Sequence, residues 1–250
     1  MLNNPDPGRK LCSCHRLEPD HCPFWSAVQD LVQRDLGLPL HQLFLQDDGD
    51  DVSFLQHNRA LFTAIAAVSG CSVIVDSSKS LKRLLRLVAV STNDPDPGFE
   101  LLPIHLHRGP FGSMSSALRK GDALRRSAYN YTRLFFLTRE RLRGAHVLRV
   151  YYERLTADPR AEMKRVMTWL KLSLEETQFQ WRDGIRRDIH GNDMRFGSSD
   201  QIRLDQSWRH QLAFRQKLAV FIWTLPVRLR SRWLFQKMSG WIKPGVHPFP

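Results

Sequence analysis

Apolar positions along the chain follow two periodicities. At Phe24, Val28, Leu31 and Val32 the spacing is helical and predicts a helix over 23–36. Residues 54–70 read the same way, and Gly70 closes that run. Residues 71–76, CSVIVD, are instead short, continuous and β-branched, which predicts a buried parallel strand. A helix follows at 77–90, with Ser77, Ser78 or Ser80 available as its cap. FELLPIHLH (99–107) predicts a second strand and AHVLRVYYERL (145–155) a third. Between them lies a basic helical stretch over 114–143, with a break expected at Gly121. Asp158-Pro159 opens another helix, which sets Met163, Val166, Met167 and Leu170 on one face. Residues 1–22 and the acidic 46–53 read as loops.

Strands alternating with helices imply βαβ units with right-handed crossovers. The predicted fold is therefore α/β, three layers around a parallel sheet, one domain over 1–250. In such sheets ligands sit beyond the carboxyl ends of the strands. Three stretches fall there: 77–79, 108–116 and 152–155.

Charge changes the picture. The chain carries +12 overall, but residues 1–100 sum to −4 and residues 101–250 to +16. The second part should attract an anion: a nucleotide, a nucleic acid, an acidic glycan or a lipid surface. An apolar content of 42% is enough for a core and does not suggest a disordered chain. The start, MLNNPDP, lacks the basic and apolar regions of a secretory signal, and LAVFIWTLPV (218–227) is too short to span a bilayer. The expected location is the cytoplasm, where a disulfide framework is not expected of the four cysteines.

The candidate chemistry centres on IHLHRGPFGSMSSAL (104–118), a strand that breaks at Arg108-Gly-Pro before a helix. An arginine fork and helix amides at such a turn suit a phosphate. Ser116, eight residues on, falls within the first turns of that helix. Taken alone, a surface arginine and a capping serine explain these residues better. Lys79 and Asp76 flank a second predicted strand end, where a lysine can meet a transferring group and an aspartate can orient it or take a proton; helix capping is the plain alternative.

Together these segments resemble the sulfotransferases that use 3′-phosphoadenosine 5′-phosphosulfate (PAPS). HLHRGP…SS resembles the strand-end arginine with a serine eight positions later. YYERLTADPRAEMKRVMTWLKL (151–172) is similar to the Tyr-Glu-Asp-Leu strand end and its helix, and VIVDSSKS (73–80) to an Asp-Ser-Ser-Lys strand end. HGNDMRFGSSDQIRLDQSWR (190–209) resembles a His…Gly-Asn-x-x-Arg…Ile-x-x-Asp-x-x-Trp pattern of bacterial and carbohydrate sulfotransferases, and LCSCHRLEPDHCPFW (11–25) a cysteine-rich segment of bacterial members. The resemblance covers about residues 11–210. It implies a P-loop-NTPase-like three-layer sheet and transfer of a sulfuryl group from PAPS to an acceptor hydroxyl or amine, small-molecule or carbohydrate. It implies that Arg108 and Ser116 hold the 3′-phosphate, that Tyr152 lies near the adenine, that Arg195 closes on the 3′-phosphate side, and that Trp208 packs rather than binds.

The chain departs from the pattern at three places. Arg108-Gly109-Pro110-Phe111 lacks the usual acidic second position and second basic residue. Tyr152-Glu153-Arg154-Leu155 has arginine where an acid is usual. No Gly/Ser/Thr-rich loop for the 5′-phosphosulfate and no Gly-x-x-x-x-Gly-Lys-Ser/Thr loop occurs. The sequence therefore reads as truncated at its amino end, with weak or absent turnover expected. The rival readings are a non-catalytic nucleotide- or anionic-glycan-binding remnant and, behind it, a basic nucleic-acid-binding protein, for which no recognition signature is present. Cys12, Cys14 and Cys22, with His15 or His21, have ligand chemistry but no standard zinc spacing, so they read as reduced thiols and no metal is assigned. Residues 212–243 mix Trp and Phe with Arg; helical packing against the sheet is expected there, with contact to a membrane surface as the alternative.

Overall fold

The first helix, α1 (Pro23–Leu36), forms where the spacing predicts it, with Pro23 at its first position and Cys22 at its N-cap. α2 (Asp51–Ser69) is capped by Asp50, whose carboxylate accepts the Ser53 N–H at 2.9 Å. The apolar faces of α1 and α2 meet over Val28, Val32, Leu61 and Ala64, which close a core with Leu43 and Leu45. α3 (Leu81–Asn93) starts at the Ser80 cap, so of the three candidate serines it is the last that serves. It packs Leu87 and Val90 against Phe54 of α2. The computed structural model describes residues 12–14, 21–46, 49–184, 186–189 and 202–230.

The expected strand at 71–76 does not form. Residues 71–80 are irregular, and Val75 is 85% exposed. A strand needs a neighbour to take its ladder groups, and no strand of the described residues pairs with 71–76. Ser69 Oγ accepts the Cys71 N–H at 3.2 Å, and Asp76 Oδ1 accepts the Ser78 N–H at 2.9 Å.

β1 (Ile104–His107) and β2 (Leu148–Tyr151) do form and pair in parallel, Ile104 opposite Leu148 and His107 opposite Tyr151. Both are shorter than the apolar runs that predicted them. The crossover consists of α4 (Pro110–Arg119) and α5 (Leu124–Arg141). The break between them falls at Gly121, whose φ of +83° is the left-handed region that glycine enters without a Cβ penalty. β2 turns at once into α6 (Tyr152–Ala157), and Asp158 then caps α7 (Pro159–Trp169). Leu148 and Val150 pack on Val166 of α7. The short α8 (Trp208–Gln211) precedes α9 (Phe214–Trp223) and α10 (Leu225–Arg230). α9 and α10 pack on α4 and α5 rather than on the sheet, with Val220 against Met114 and Ala128. Phe214, Leu218, Ile222 and Leu229 stay exposed.

The architecture is thus α/β, helices around a small parallel sheet. It divides into two compact units: the described residues of Met1–Leu101 with Glu175–Gln201, and those of Leu102–Leu174 with Ile202–Pro250. No helix of the described residues is long and apolar enough to cross a membrane.

Candidate anion site at the β1–α4 turn

Arg108 is the first residue past β1, Gly109 is the N-cap of α4, and Pro110 fixes the first helical φ. The Arg108 side chain folds back onto this first turn. A Cβ built on Gly112 would lie 2.6 Å from its Nε and 2.8 Å from its Nη2. Glycine at 112 is what lets the guanidinium lie there. Gly112 and Ser116 are one turn apart on one face of α4, and helical side chains lean toward the N-terminus. Ser116, half-buried, therefore shares the face that Arg108 covers.

This arrangement sets a cation against the positive end of a helix dipole. Two carboxylates compensate. Asp205 Oδ2 accepts from Arg108 Nη2 at 2.8 Å, and Glu153 Oε1 accepts the Gly109 N–H at 2.7 Å. Glu153 Oε2 is buried and has no hydrogen-bond partner among the described residues. Hydrogen bonds from Ser207, with Arg108 adding, hold the Asp205 carboxyl down at about 2. Tyr152 supplies the floor: the guanidinium carbon of Arg108 lies 4.8 Å from its ring centroid. Its hydroxyl donates to the Arg203 carbonyl and accepts from the Asp205 N–H, both at 3.0 Å. Tyr131 donates to the Arg108 carbonyl at 3.0 Å and lies against buried His107.

α8 completes the surround. Trp208 stacks on Phe111 with ring centroids 4.7 Å apart. Gln211 Oε1 accepts from Ser115 Oγ at 2.5 Å and from Arg119 at 3.0 Å. Arg154, which stands where an acid was expected, pairs with buried Glu162 at 3.6 Å, beside Arg165. It therefore ties α6 to α7.

Of the residues the sequence singled out, Arg108 and Tyr152 are brought together, and Ser116 lies on the same unit, on α4. Asp76 and Lys79 belong to the other, and Arg195 lies outside the described residues. Asp76 binds Arg83 through Oδ2, at 2.9 and 3.0 Å, and Arg83 also donates to the Leu45 carbonyl. Burial alone would raise the Asp76 carboxyl, but the Arg83 charge and the Ser78 N–H hold it below its usual value. So placed, it orients its neighbours better than it takes a proton. Lys79 is exposed and has a φ of +59°, uncommon for a residue with a side chain. Gly112, Glu153, Asp205 and Gln211 were missed as site residues. Glu153 and Asp205 stand inside quoted motifs, whereas nothing local marks Gln211.

Comparison of the chain with family models, curated proteins and solved structures gave no match.

Proposed function

We propose that the chain is a PAPS-dependent sulfotransferase relative, of weak or absent turnover, that holds the 3′-phosphate of its donor at the β1–α4 turn. One observation carries the reading: the Arg108 guanidinium is laid on the first turn of α4, with an internal carboxylate on it where an external oxyanion would sit. A phosphate there takes the Arg108 fork, the helix dipole and the Ser116 hydroxyl, and Asp205 withdraws toward Ser207. Tyr152 offers a ring for the adenine. The reading carries with it the three-layer P-loop-NTPase-like sheet, of which the parallel β1–β2 pair is the supporting part.

In the reaction proposed, the bond between sulfur and the bridging phosphate oxygen breaks as an acceptor hydroxyl or amine attacks in line. Adenosine 3′,5′-bisphosphate leaves, and the acceptor proton passes to a base. Positioning and cations supply most of the rate. Lys79 is proposed as a cation for the sulfuryl oxygens and Asp76 as a residue that orients its loop; this part rests on the resemblance alone.

The test is thermal-shift titration of the purified chain with adenosine 3′,5′-bisphosphate and with adenosine 5′-monophosphate. The bisphosphate should raise Tm and the monophosphate should not; no shift with either overturns the reading. Transfer of labelled sulfate from PAPS to an acceptor library then separates an enzyme from a protein that only binds the nucleotide.

A further inference from the structure

Cys12, Cys14 and Cys22 converge at the start of α1. Their Sγ atoms are 3.2 Å (12–14), 3.4 Å (14–22) and 3.6 Å (12–22) apart, and all three are reduced. Cys12 and Cys22 are fully buried and Cys14 is half-buried. A thiol is a weak hydrogen-bonding group, so three thiols facing one another satisfy little. A disulfide would use two of them and leave the third. A metal ion uses all three.

The dimensions suit one. Tetrahedral zinc, about 2.3 Å from each sulfur, needs sulfurs about 3.8 Å apart. The triangle observed needs only a few tenths of an ångström of expansion. Thiolates are soft ligands that select zinc among the abundant divalent ions. Three thiolates around a divalent ion leave a net negative charge, and the surroundings answer it. Cys22 sits at the positive end of the fourteen-residue α1. The frame is held from outside the cluster as well. Ser13 donates to Asp188 through its N–H and its hydroxyl, at 3.0 and 2.7 Å, and Trp25 Nε1 donates to the Arg187 carbonyl at 2.9 Å. The turn carrying Cys12 and Cys14 and the helix start carrying Cys22 are thus both fastened to the 186–188 segment.

We infer that Cys12, Cys14 and Cys22 form a three-thiolate site for zinc that pins the 12–14 turn to the N-terminus of α1. The fourth tetrahedral position is left to a non-cysteine ligand. The role is structural, and it does not depend on what the β1–α4 turn binds.

Elemental analysis of the full chain, purified under reducing conditions without chelator, tests it. About one equivalent of zinc is expected. Replacement by cobalt(II) should give the visible bands of a tetrahedral ion and near-ultraviolet thiolate charge transfer. Cys14→Ser, at a half-buried position, should weaken cobalt binding at least tenfold, while Cys71→Ser, at an exposed position elsewhere, should not. The wild-type cobalt spectrum stands even where a variant fails to fold. Two results overturn the inference: no bound zinc and no cobalt spectrum from protein with four titratable thiols, or a mass two hydrogens lower from a disulfide among the three.

Discussion

Replacing Asp205 by asparagine should tighten nucleotide binding. The Arg108–Asp205 contact is 2.8 Å, with the two side chains 28% and 34% exposed. A hydrogen bond between charged groups contributes about 1.5–3 kcal/mol when shielded, and an exposed ion pair about 0.2–1 kcal/mol. At this intermediate exposure about 1 kcal/mol must be given up before a phosphate can take the guanidinium. Asparagine keeps an acceptor for the Ser207 N–H while deleting the charge. Affinity for adenosine 3′,5′-bisphosphate should therefore rise about fivefold, roughly 1 kcal/mol. Calorimetry at neutral pH and physiological salt reads this directly. The Asp205 carboxyl is held at about 2, so it stays ionised wherever the protein can be handled, and substitution rather than acidification is the lever. The gain should vanish when Arg108 is also replaced by alanine. Equal or weaker binding by Asp205→Asn would refute the idea that the carboxylate occupies the phosphate position, and would make it a group that aims Arg108 instead.

Other substitutions separate site from scaffold. Gly112→Ala puts a methyl where the guanidinium lies. Stability should hold or rise by up to about 1 kcal/mol, because alanine favours helix, while bisphosphate affinity falls; a variant that binds normally sinks the geometry. Asp76→Ala strips the counter-charge from Arg83, which is 2% exposed. Breaking a fully buried pair costs about 3–5 kcal/mol, and with Asp76 itself 29% exposed about 2 kcal/mol is expected in urea unfolding. Unchanged stability would return Asp76 to consideration as a base. Burial, with His105 adding, holds His107 down at about 4. The unfolded chain takes up that proton first, at about 6.5. Stability from this group is therefore full above 6.5 and falls as pH drops toward 4, by about 2 kcal/mol between pH 8 and 5. Urea melts of His107→Gln should show a shallower loss than wild type over that range; equal slopes would contradict it.

Helical period made α1, α2, α3 and α7 legible, because each buries one stripe, and glycines end α1 and α2. Gly121 divided the basic stretch for the same kind of reason. The failure at 71–76 is instructive. β-branching and apolarity report a preference for burial, but a strand exists only where another strand takes its ladder groups, and the sequence carries no sign of that neighbour. The run YYERL read as strand to 155, yet the ladder stops at Tyr151 and the helix begins at Tyr152, which brings Glu153 to the Gly109 amide. The anion turn itself was visible, since a strand, an arginine and Gly-Pro are adjacent in the chain. Its counter-charge was not. Asp205 is 97 residues from Arg108, and only folding joins them. The three cysteines show the same limit: Cys-x-Cys and a distant third lack a standard spacing, and their convergence appears only in three dimensions.

The most direct test of the account is calorimetric titration of adenosine 3′,5′-bisphosphate into wild-type protein and into Arg108→Ala, at equal salt. Removing a charge-assisted phosphate contact worth about 1.5–3 kcal/mol should weaken binding tenfold or more. Equal affinities in the two proteins, or no binding by the wild type, would contradict it.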